Sequence, residues 1–252
     1  WRYCKKFRLL SRICMKDNVE SILIIGLGMM GASLALASKS KGIKVYGHDS
    51  NSSVVESAKN DNFIDESFDS LEDINNKNLV NIIDLIIVCV PPRQTHEVFN
   101  NIHELWNTTI TITDTSSVKN HIKLDEVDNI ILSHPIAGSD RSGLSAADSE
   151  LYFDKKNIIC DPFEANSLHM KRLKDFWEEA MQMRTSQMTV NDHDLIFAMT
   201  SHLPHLVSYA LIDSIRLSSS NVEDNAGGGL KEFLRLSGSN SEMWSEIFTL
   251  NR

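Results

Sequence analysis

The sequence predicts an α/β protein in which a mostly parallel, doubly wound sheet is followed by an all-helical domain. Two observations carry this prediction. Short apolar runs alternate with helix-like segments from residue 21 to about residue 181, as they do in parallel sheets whose crossovers are helices. Beyond about residue 188 the apolar residues recur with a helical period instead, and no further strand is predicted.

The first strands give the clearest signals. Residues 21–25 form an apolar run that ends in glycine, as is typical of a buried parallel strand. Residues 84–90 are almost entirely apolar and end at two prolines, which cannot continue a central strand. The other predicted strands cover residues 43–47, 109–113, 129–133 and 157–160, and the helices between them cover residues 29–41, 52–60, 95–106 and 164–181.

The second domain is predicted from residue 190 to residue 252. Its first helix spans residues 191–217, with Pro204 as the only breaker, and shorter helices cover residues 230–236 and 243–250 after a polar loop over 221–229. Residues 15–189 are expected to form the sheet domain. We interpret residues 1–14 as an extension or cloning remnant, because Met15 is a natural start shortly before the first strand.

Composition narrows the classes of function. The 252 residues carry a net charge of −9, with 42% hydrophobic and 23% charged residues. The negative charge argues against a nucleic-acid partner. No apolar run approaches the length of about 20 residues that spans a membrane. The four cysteines show neither CxxC nor metal-ligand spacing, so we expect a cytoplasmic, reducing setting without disulfides, metal or membrane contact.

A glycine motif predicts a dinucleotide site. Gly26 permits a tight turn after the first strand, Gly28 lets the backbone approach a pyrophosphate, and Gly31 lets helix and strand pack closely. Asp49 ends the second strand, where a carboxylate would bind the ribose hydroxyls and repel a 2′-phosphate, which favours NAD over NADP. The alternatives are a plain glycine turn and a simple strand end. The predicted cofactor-binding residues of this Rossmann-like domain are Gly26, Gly28, Met29, Met30, Gly31, Asp49, Val90 and Pro91.

Polar segments follow two later predicted strands, over residues 114–119 and 134–140. Ligands of open α/β sheets bind beyond the carboxyl ends of the strands, so both segments are expected to meet substrate and cofactor. His134 is the titratable group there that can exchange a proton near neutral pH. Further candidate motifs are His193-Asp194, Ser201-His202-Leu203-Pro204-His205, Arg235 and Met243-Trp244.

In this combination and order the chain resembles the prephenate/arogenate dehydrogenases of tyrosine biosynthesis. The resemblance implies that NAD takes a hydride from the ring carbon bearing the hydroxyl, that the ring carboxylate leaves as CO2 and that the ring becomes aromatic. It also implies a homodimer formed through the helical domain. Family members ordinarily continue for several helices beyond the Trp244 segment, so the second domain is expected to be C-terminally short.

The resemblance also implies roles for individual residues. His134 would be the base at the ring hydroxyl, and Ser117 would orient that hydroxyl or, alternatively, cap a following helix. Arg235 would bind a substrate carboxylate, for which its planar guanidinium is suited, unless it is a surface helix residue. His205 would contact substrate, with His202 supporting it from one turn away or serving only as a core histidine.

Other interpretations remain open at this point. Asp140 would favour the ammonium of arogenate if it faces the pocket, or it could be a solvated loop acid. A β-hydroxyacid dehydrogenase shares the domain order but ordinarily uses a helical-domain lysine, for which only Lys231 is available after residue 190. A catalytically impaired NAD-binding sensor or scaffold is the alternative from another class.

Overall fold

The computed structural model describes residues 18–125, 127–138, 141–217, 222 and 227–252. The expectations for residues 1–14, for Met15 and for Asp140 lie outside the described residues, as do most of those for the loop over 221–229.

A five-stranded sheet forms the centre of the first part of the chain. Its order is β3-β2-β1-β4-β5, and every neighbouring pair is parallel. Ile25 at the end of β1 is in register with His48 of β2 and Val88 of β4, so the carboxyl ends of these strands meet at one edge. The strands are β1 (Ser21–Ile25), β2 (Lys44–His48), β3 (Glu66–Ser67), β4 (Leu85–Val88) and β5 (Thr111–Asp114).

Helices cover both faces of this sheet, because alternate strand residues enter two separate apolar cores. Leu23 and Ile25 belong to one core, and Ile22 and Ile24 belong to the other. The predicted doubly wound α/β class is therefore confirmed. The flanking helices are α1 (Met29–Ser40), α2 (Ser52–Asn60), α3 (Leu71–Ile74), α4 (Pro92–Asn101) and α5 (Ser167–Asp175), the last continuing into a π turn (Phe176–Ala180).

A second sheet corrects the prediction of strands after β5. It contains β6 (Leu132–Ile136), β7 (Lys156–Cys160) and β8 (Arg184–Gln187), of which β6 and β7 are antiparallel. The strand predicted over residues 129–133 is therefore displaced, and β8 was not predicted. As a result His134, which was expected to follow a strand, lies inside β6 opposite Ile158.

The C-terminal part of the described chain is helical, as predicted. Val190–Arg216 is one continuous helical run made of α6 (Val190–Phe197), a π turn (Ala198–His202) and α7 (Leu203–Arg216). Pro204 has no backbone N–H to donate to the preceding turn. It does not break the run, because the π turn immediately before it accommodates the missing hydrogen bond. Two shorter helices follow, α8 (Gly228–Ser237) and α9 (Ser241–Leu250).

The long helical run amends the expectation that nothing in the chain could span a membrane. By length and composition alone, Val190–Arg216 is long and apolar enough to do so. The same properties suit a helix whose apolar face packs against another protein chain. Its exposed apolar side chains include Leu195, Ile196, Met199, Leu203, Leu206 and Val207.

Candidate active site

The glycine turn between β1 and α1 has the geometry of a dinucleotide site. Gly26 has a φ of +98°, and a Cβ there would lie 2.6 Å from the carbonyl oxygen of Cys89. A Cβ on Gly31 would lie 1.9 Å from the carbonyl oxygen of Gly26. Neither position accepts a side chain, because the turn packs directly against the end of β4 and against the first helix.

Gly28 differs from these two glycines, because a Cβ there would meet no protein atom within 4 Å. It is the N-cap residue of α1, where no side chain caps the helix and the first turn contains no acidic residue. An open, uncapped helix N-terminus attracts anions through its free N–H groups and its dipole. The structure therefore leaves room and positive potential for the pyrophosphate of a dinucleotide.

The other predicted cofactor residues surround this turn. The Asp49 carboxylate accepts hydrogen bonds from the backbone N–H groups of Leu27 (2.8 Å) and Asn51 (2.9 Å), which places it beside the turn. Val90 lies next to Gly26. Pro91 is the exposed N-cap residue of α4, and Met29 and Met30 are half-buried in the first turn of α1. The site fits NAD, whose ribose hydroxyls would reach the remaining acceptor positions of the carboxylate.

His134 lies just beyond the carboxyl end of β5. Ile112 of β5 forms a parallel bridge with Ile130, and the N–H of Ser133 donates to Asp114, the last residue of β5 (3.1 Å). His134 Nδ1 is hydrogen-bonded to His193 Nε2 at 2.9 Å. The ring of Phe197 packs against both imidazoles, with centroid distances of 4.7 Å.

His193 in turn contacts Asp194, its neighbour on α6. The His193 Nδ1 to Asp194 Oδ1 distance is 2.7 Å, and His193 is fully buried. The backbone N–H groups of Lys119 (2.9 Å) and Asn120 (2.8 Å) donate to the two oxygens of this carboxylate. The loop after β5 therefore fixes a carboxylate of the helical segment behind the two histidines.

A buried ion pair holds the same loop against β6. Lys119 Nζ lies 2.5 Å from Asp114 Oδ2 and 2.5 Å from the carbonyl oxygen of Ser133, and both charged side chains are fully buried. Because Ser133 immediately precedes His134, this pair fixes the backbone that carries the imidazole.

The environment keeps these histidines neutral. Burial, assisted by His193, Lys119 and His202, holds the pKa of His134 well below its ordinary value of 6.5. Burial likewise lowers the pKa of His193, against the opposing effect of Asp194. A neutral imidazole at neutral pH is the form that accepts a proton.

His202 and His205 occupy one side of the π turn and α7. His202 is buried, its Nδ1 lies 3.0 Å from Asn251 Nδ2, and burial lowers its pKa to about 4. His205 is half-buried and stacks on Trp244 with a centroid distance of 3.6 Å. Its Nδ1 contacts the carbonyl oxygen of Ser201 (2.9 Å), which leaves Nε2 for a ligand.

The structure ties Arg235 and Ser117 less directly to the other candidate site residues. Arg235 is exposed on α8 and pairs with Glu232 (3.1 Å). The pKa of His205 is lowered mainly by burial of the ring, and the charge of Arg235 lowers it further. Ser117 is half-buried in the loop after β5, and within the described residues its hydroxyl has no hydrogen-bond partner. The alternative of a helix cap is wrong for Ser117, because no helix begins in the described residues between β5 and β6.

Sequence reasoning missed several parts of the site. It left the role of His193-Asp194 open, and it did not foresee the buried Lys119–Asp114 pair or the stacking of Trp244 on His205. The 114–119 motif contained a signal for the ion pair, because it holds an aspartate and a lysine five residues apart and a buried lysine needs a counter-ion. Within the described ranges, no three histidine, cysteine or acidic side chains come together as a metal site requires.

A Rossmann-like sheet, a glycine turn open to a pyrophosphate and a neutral histidine at the strand ends define an NAD-dependent oxidoreductase. Comparison with known families agrees. Residues 33–183 match the family described as "Prephenate dehydrogenase, nucleotide-binding domain", and residues 189–252 match "Prephenate dehydrogenase, dimerization domain". The chain belongs to the prephenate dehydrogenase family.

Individual relatives support this assignment. The cyclohexadienyl dehydrogenase of Zymomonas mobilis is 30% identical over 92% of this chain and 81% of its own length, and the prephenate dehydrogenase of Bacillus subtilis is 27% identical over 94% and 66%. The crystal structure of Aquifex aeolicus prephenate dehydrogenase with hydroxyphenyl propionate and NAD+ superposes with a TM-score of 0.83 at 30% identity, covering 92% of this chain and 82% of that one. Synechocystis arogenate dehydrogenase gives 0.75 at 25% identity, covering 92% and 84%.

Proposed function

We propose that the protein catalyses the NAD-dependent oxidative decarboxylation of prephenate or arogenate in tyrosine biosynthesis. The observation that carries the proposal is His134, a neutral imidazole at the carboxyl edge of a dinucleotide-binding sheet, hydrogen-bonded from behind to a buried histidine. The named relatives act on these substrates. The expected products are 4-hydroxyphenylpyruvate from prephenate and tyrosine from arogenate.

The residues suit the steps of this reaction. NAD, when bound, accepts the hydride from the ring carbon that bears the hydroxyl. His134 takes the hydroxyl proton as that hydride leaves, so the carbon becomes a carbonyl without a positive charge building up on oxygen. The ring carboxylate then departs as CO2, and the electrons of the broken bond enter the ring. His134 returns the proton to the oxygen as the ring becomes aromatic.

Five further residues are assigned to binding or orienting the substrate. Ser117 orients the ring hydroxyl, because it lies in the loop after β5 and its own hydroxyl has no partner among the residues that the structure describes. Arg235 pairs with a substrate carboxylate, with His205 contacting substrate beside it and His202 supporting His205. The assignment of Asp140 to the ammonium group of arogenate rests on the sequence alone.

The assembly and the setting belong to the same proposal. We place the domain boundary at residues 189/190, and we propose a homodimer that forms through the exposed apolar face of α6 and α7. A cytoplasmic location is consistent with free thiols at Cys89 and Cys160.

The direct test is NADH formation with prephenate and with arogenate, measured side by side, with a β-hydroxyacid as the third substrate. Turnover of either cyclohexadienyl substrate with release of CO2 supports the proposal. Turnover of the β-hydroxyacid alone would assign the chain to the other dehydrogenase class, and NAD binding without any turnover would indicate a sensor.

The His134→Asn variant tests the base. It is expected to lower kcat by about 10²–10⁴-fold, the usual contribution of a general base, because the amide cannot take the hydroxyl proton. The Kd for NAD, measured by fluorescence titration, should stay within about twofold, since the glycine turn and Asp49 are untouched. An unchanged kcat would remove His134 as the base.

A further inference from the structure

We propose that His193 and Asp194 are positioning residues that fix the tautomer of His134, leaving the lone pair of its imidazole on Nε2. Neither residue has a role in the reaction as described above. The inference rests on the proposed function in taking His134 as the base, but the tautomer itself is a property of the protein alone.

The hydrogen-bond chain has only one consistent direction when both rings are neutral. Asp194 is a carboxylate and can only accept, so His193 Nδ1, at 2.7 Å, carries the hydrogen. His193 Nε2 then holds a lone pair and must accept from His134 Nδ1, at 2.9 Å. It follows that the hydrogen of His134 is on Nδ1 and that Nε2 is its acceptor.

Asp194 is well suited to anchor this chain. Burial would raise the pKa of its carboxyl, but the hydrogen bonds from His193 and from the backbone N–H groups of Asn120 and Lys119 hold that pKa below its ordinary value. Asn251 Nδ2 additionally binds the Asp194 carbonyl oxygen at 2.8 Å. The acceptor at the start of the chain therefore stays ionised and immobile.

The arrangement also stabilises the protonated base. When His134 receives the substrate proton on Nε2, it becomes an imidazolium whose Nδ1–H points at His193. The hydrogen bond to His193, backed by the Asp194 carboxylate, strengthens as that charge develops and relaxes when the proton returns. Without these hydrogen bonds, a fraction of the enzyme molecules would carry the His134 hydrogen on Nε2, and His134 could not act as a base in them.

The charged and titratable groups around the two rings come from α6, the π turn, β5 and the loop after β5. His134 faces His193 on α6, Lys119 in the loop after β5 and His202 in the π turn. His193 faces Asp194, Lys119 and Asp114. Of these groups, only His193 is within hydrogen-bond distance of the His134 ring among the described residues.

The tautomer can be read directly by nitrogen NMR on enzyme labelled with 15N in the histidine rings and saturated with NAD+. The His134 signals are assigned by their loss in His134→Asn. The expected result is one tautomer with the hydrogen on Nδ1, and a mixture of both tautomers in His193→Leu. A hydrogen on Nε2 in the unmodified enzyme, or an unchanged spectrum in His193→Leu, would overturn the inference.

Kinetics on a matched series supply the second readout. His193→Leu removes the acceptor, whereas the Oε1 of Gln in His193→Gln replaces Nε2 as an acceptor for His134. We expect kcat to fall about 10²-fold or more in His193→Leu but only about tenfold in His193→Gln. The KM for the cyclohexadienyl substrate should stay within about threefold of that of the unmodified enzyme in both variants. Asp194→Asn should resemble His193→Leu. His103→Leu, at an exposed histidine in the short turn after α4, is the control and should match the unmodified enzyme.

The outcomes separate this inference from the proposed function. Equal losses with Leu and Gln, accompanied by a lower melting temperature, would indicate a purely structural role for His193. Retention of full kcat in His193→Leu would also overturn the inference. If the unmodified enzyme turns over neither prephenate nor arogenate, the proposed function fails, while the NMR spectrum still decides the tautomer.

Discussion

Arg235 is an exposed side chain that we propose as part of the substrate site. Its side chain is about two-thirds exposed and pairs with Glu232 on the same helix, an interaction of small free energy at a surface. Its charge nevertheless contributes to lowering the pKa of His205. A substrate carboxylate arriving beside His205 could therefore replace Glu232 as the partner of Arg235 at little cost.

The Arg235→Gln variant is expected to raise the KM for the cyclohexadienyl substrate about 10–100-fold, because a charge-assisted hydrogen bond contributes about 1.5–3 kcal/mol. The kcat should change little, since the pair forms in both the ground and transition states. Steady-state kinetics at saturating NAD measures both constants. Arg184→Gln, at another exposed and ion-paired arginine, is the control. A lower kcat at unchanged KM would contradict carboxylate binding.

At the scale of single residues, the sequence predicted identities better than contacts. Asp49 was expected at the end of the second strand and directly follows β2, whereas His134 was expected after a strand and lies inside β6. The hydrogen bond between His134 and His193 could not be found, because it joins residues 59 positions apart and depends on how α6 packs against β6. The pairing of Arg235 with Glu232 was equally inaccessible, since exposed side chains choose partners by local geometry.

In the turn between β1 and α1, the physical consequence of adding a side chain differs from one glycine to the next. Gly26 needs a positive φ, and Gly31 lets the helix lie against the turn. Gly28 is restricted by neither constraint, because its φ of −67° suits any residue and a Cβ would enter open space. We therefore expect any restriction to glycine at position 28 to come from a bound ligand.

The pair Gly28→Ala and Gly31→Ala separates these reasons. Gly28→Ala should leave the free energy of unfolding within about 0.5 kcal/mol, as is usual for a substitution without contacts, but should weaken NAD binding at least tenfold. Gly31→Ala should lower the melting temperature sharply or prevent folding, because its Cβ would overlap the Gly26 carbonyl. Thermal melts with and without NAD measure both effects. Unaltered NAD affinity in Gly28→Ala would place the pyrophosphate elsewhere.

Elements were predicted where burial dictates the pattern. Residues 21–25 and 52–60 were placed without a shift, since one is fully buried and the other is bounded by capping residues. The strand β6 was misplaced because it contains Pro135, which reads as a strand end; it is an edge strand, where proline is tolerated. The strand β8 was missed because its sequence is polar and half-exposed.

Two buried histidines, one in each part of the molecule, couple the stability of the whole molecule to pH. Burial lowers the pKa of both His169 and His202 to about 4. In the unfolded chain their pKa is about 6.5, so below that value the unfolded state binds protons first. Stability is therefore complete above pH 6.5 and is lost as the pH falls towards 4.

At pH 5 each histidine should lower the free energy of unfolding by about 2 kcal/mol relative to pH 7.5. Urea unfolding at the two pH values measures the difference, and this range lies above the pKa of ordinary carboxyl groups. His169→Gln should remove about 2 kcal/mol of the loss, whereas the exposed His103→Gln should retain all of it. Equal stability at both pH values would mean that neither buried ring resists protonation.

The long helical run, Val190–Arg216, carries the surface that we propose for a homodimer. Leu195, Met199, Leu203 and Leu206 are all exposed by 46% or more, and their spacing of three or four residues places them on one face. Burying such a side chain completely in an interface is favourable by about 1.5–3 kcal/mol relative to leaving it in water. We therefore expect the protein to sediment as a homodimer, with twice the chain mass of 28.4 kDa.

The double variant Met199→Glu/Leu206→Glu should sediment as a monomer at micromolar concentration, because the interface would then bury two unpaired charges on each side. Ile82→Glu, at an exposed apolar residue of the sheet domain, should remain a dimer. A monomeric unmodified protein, or a double variant that remains dimeric, would exclude this face as the interface. A double variant that is monomeric and retains its affinity for NAD would show that the nucleotide site is complete within one chain.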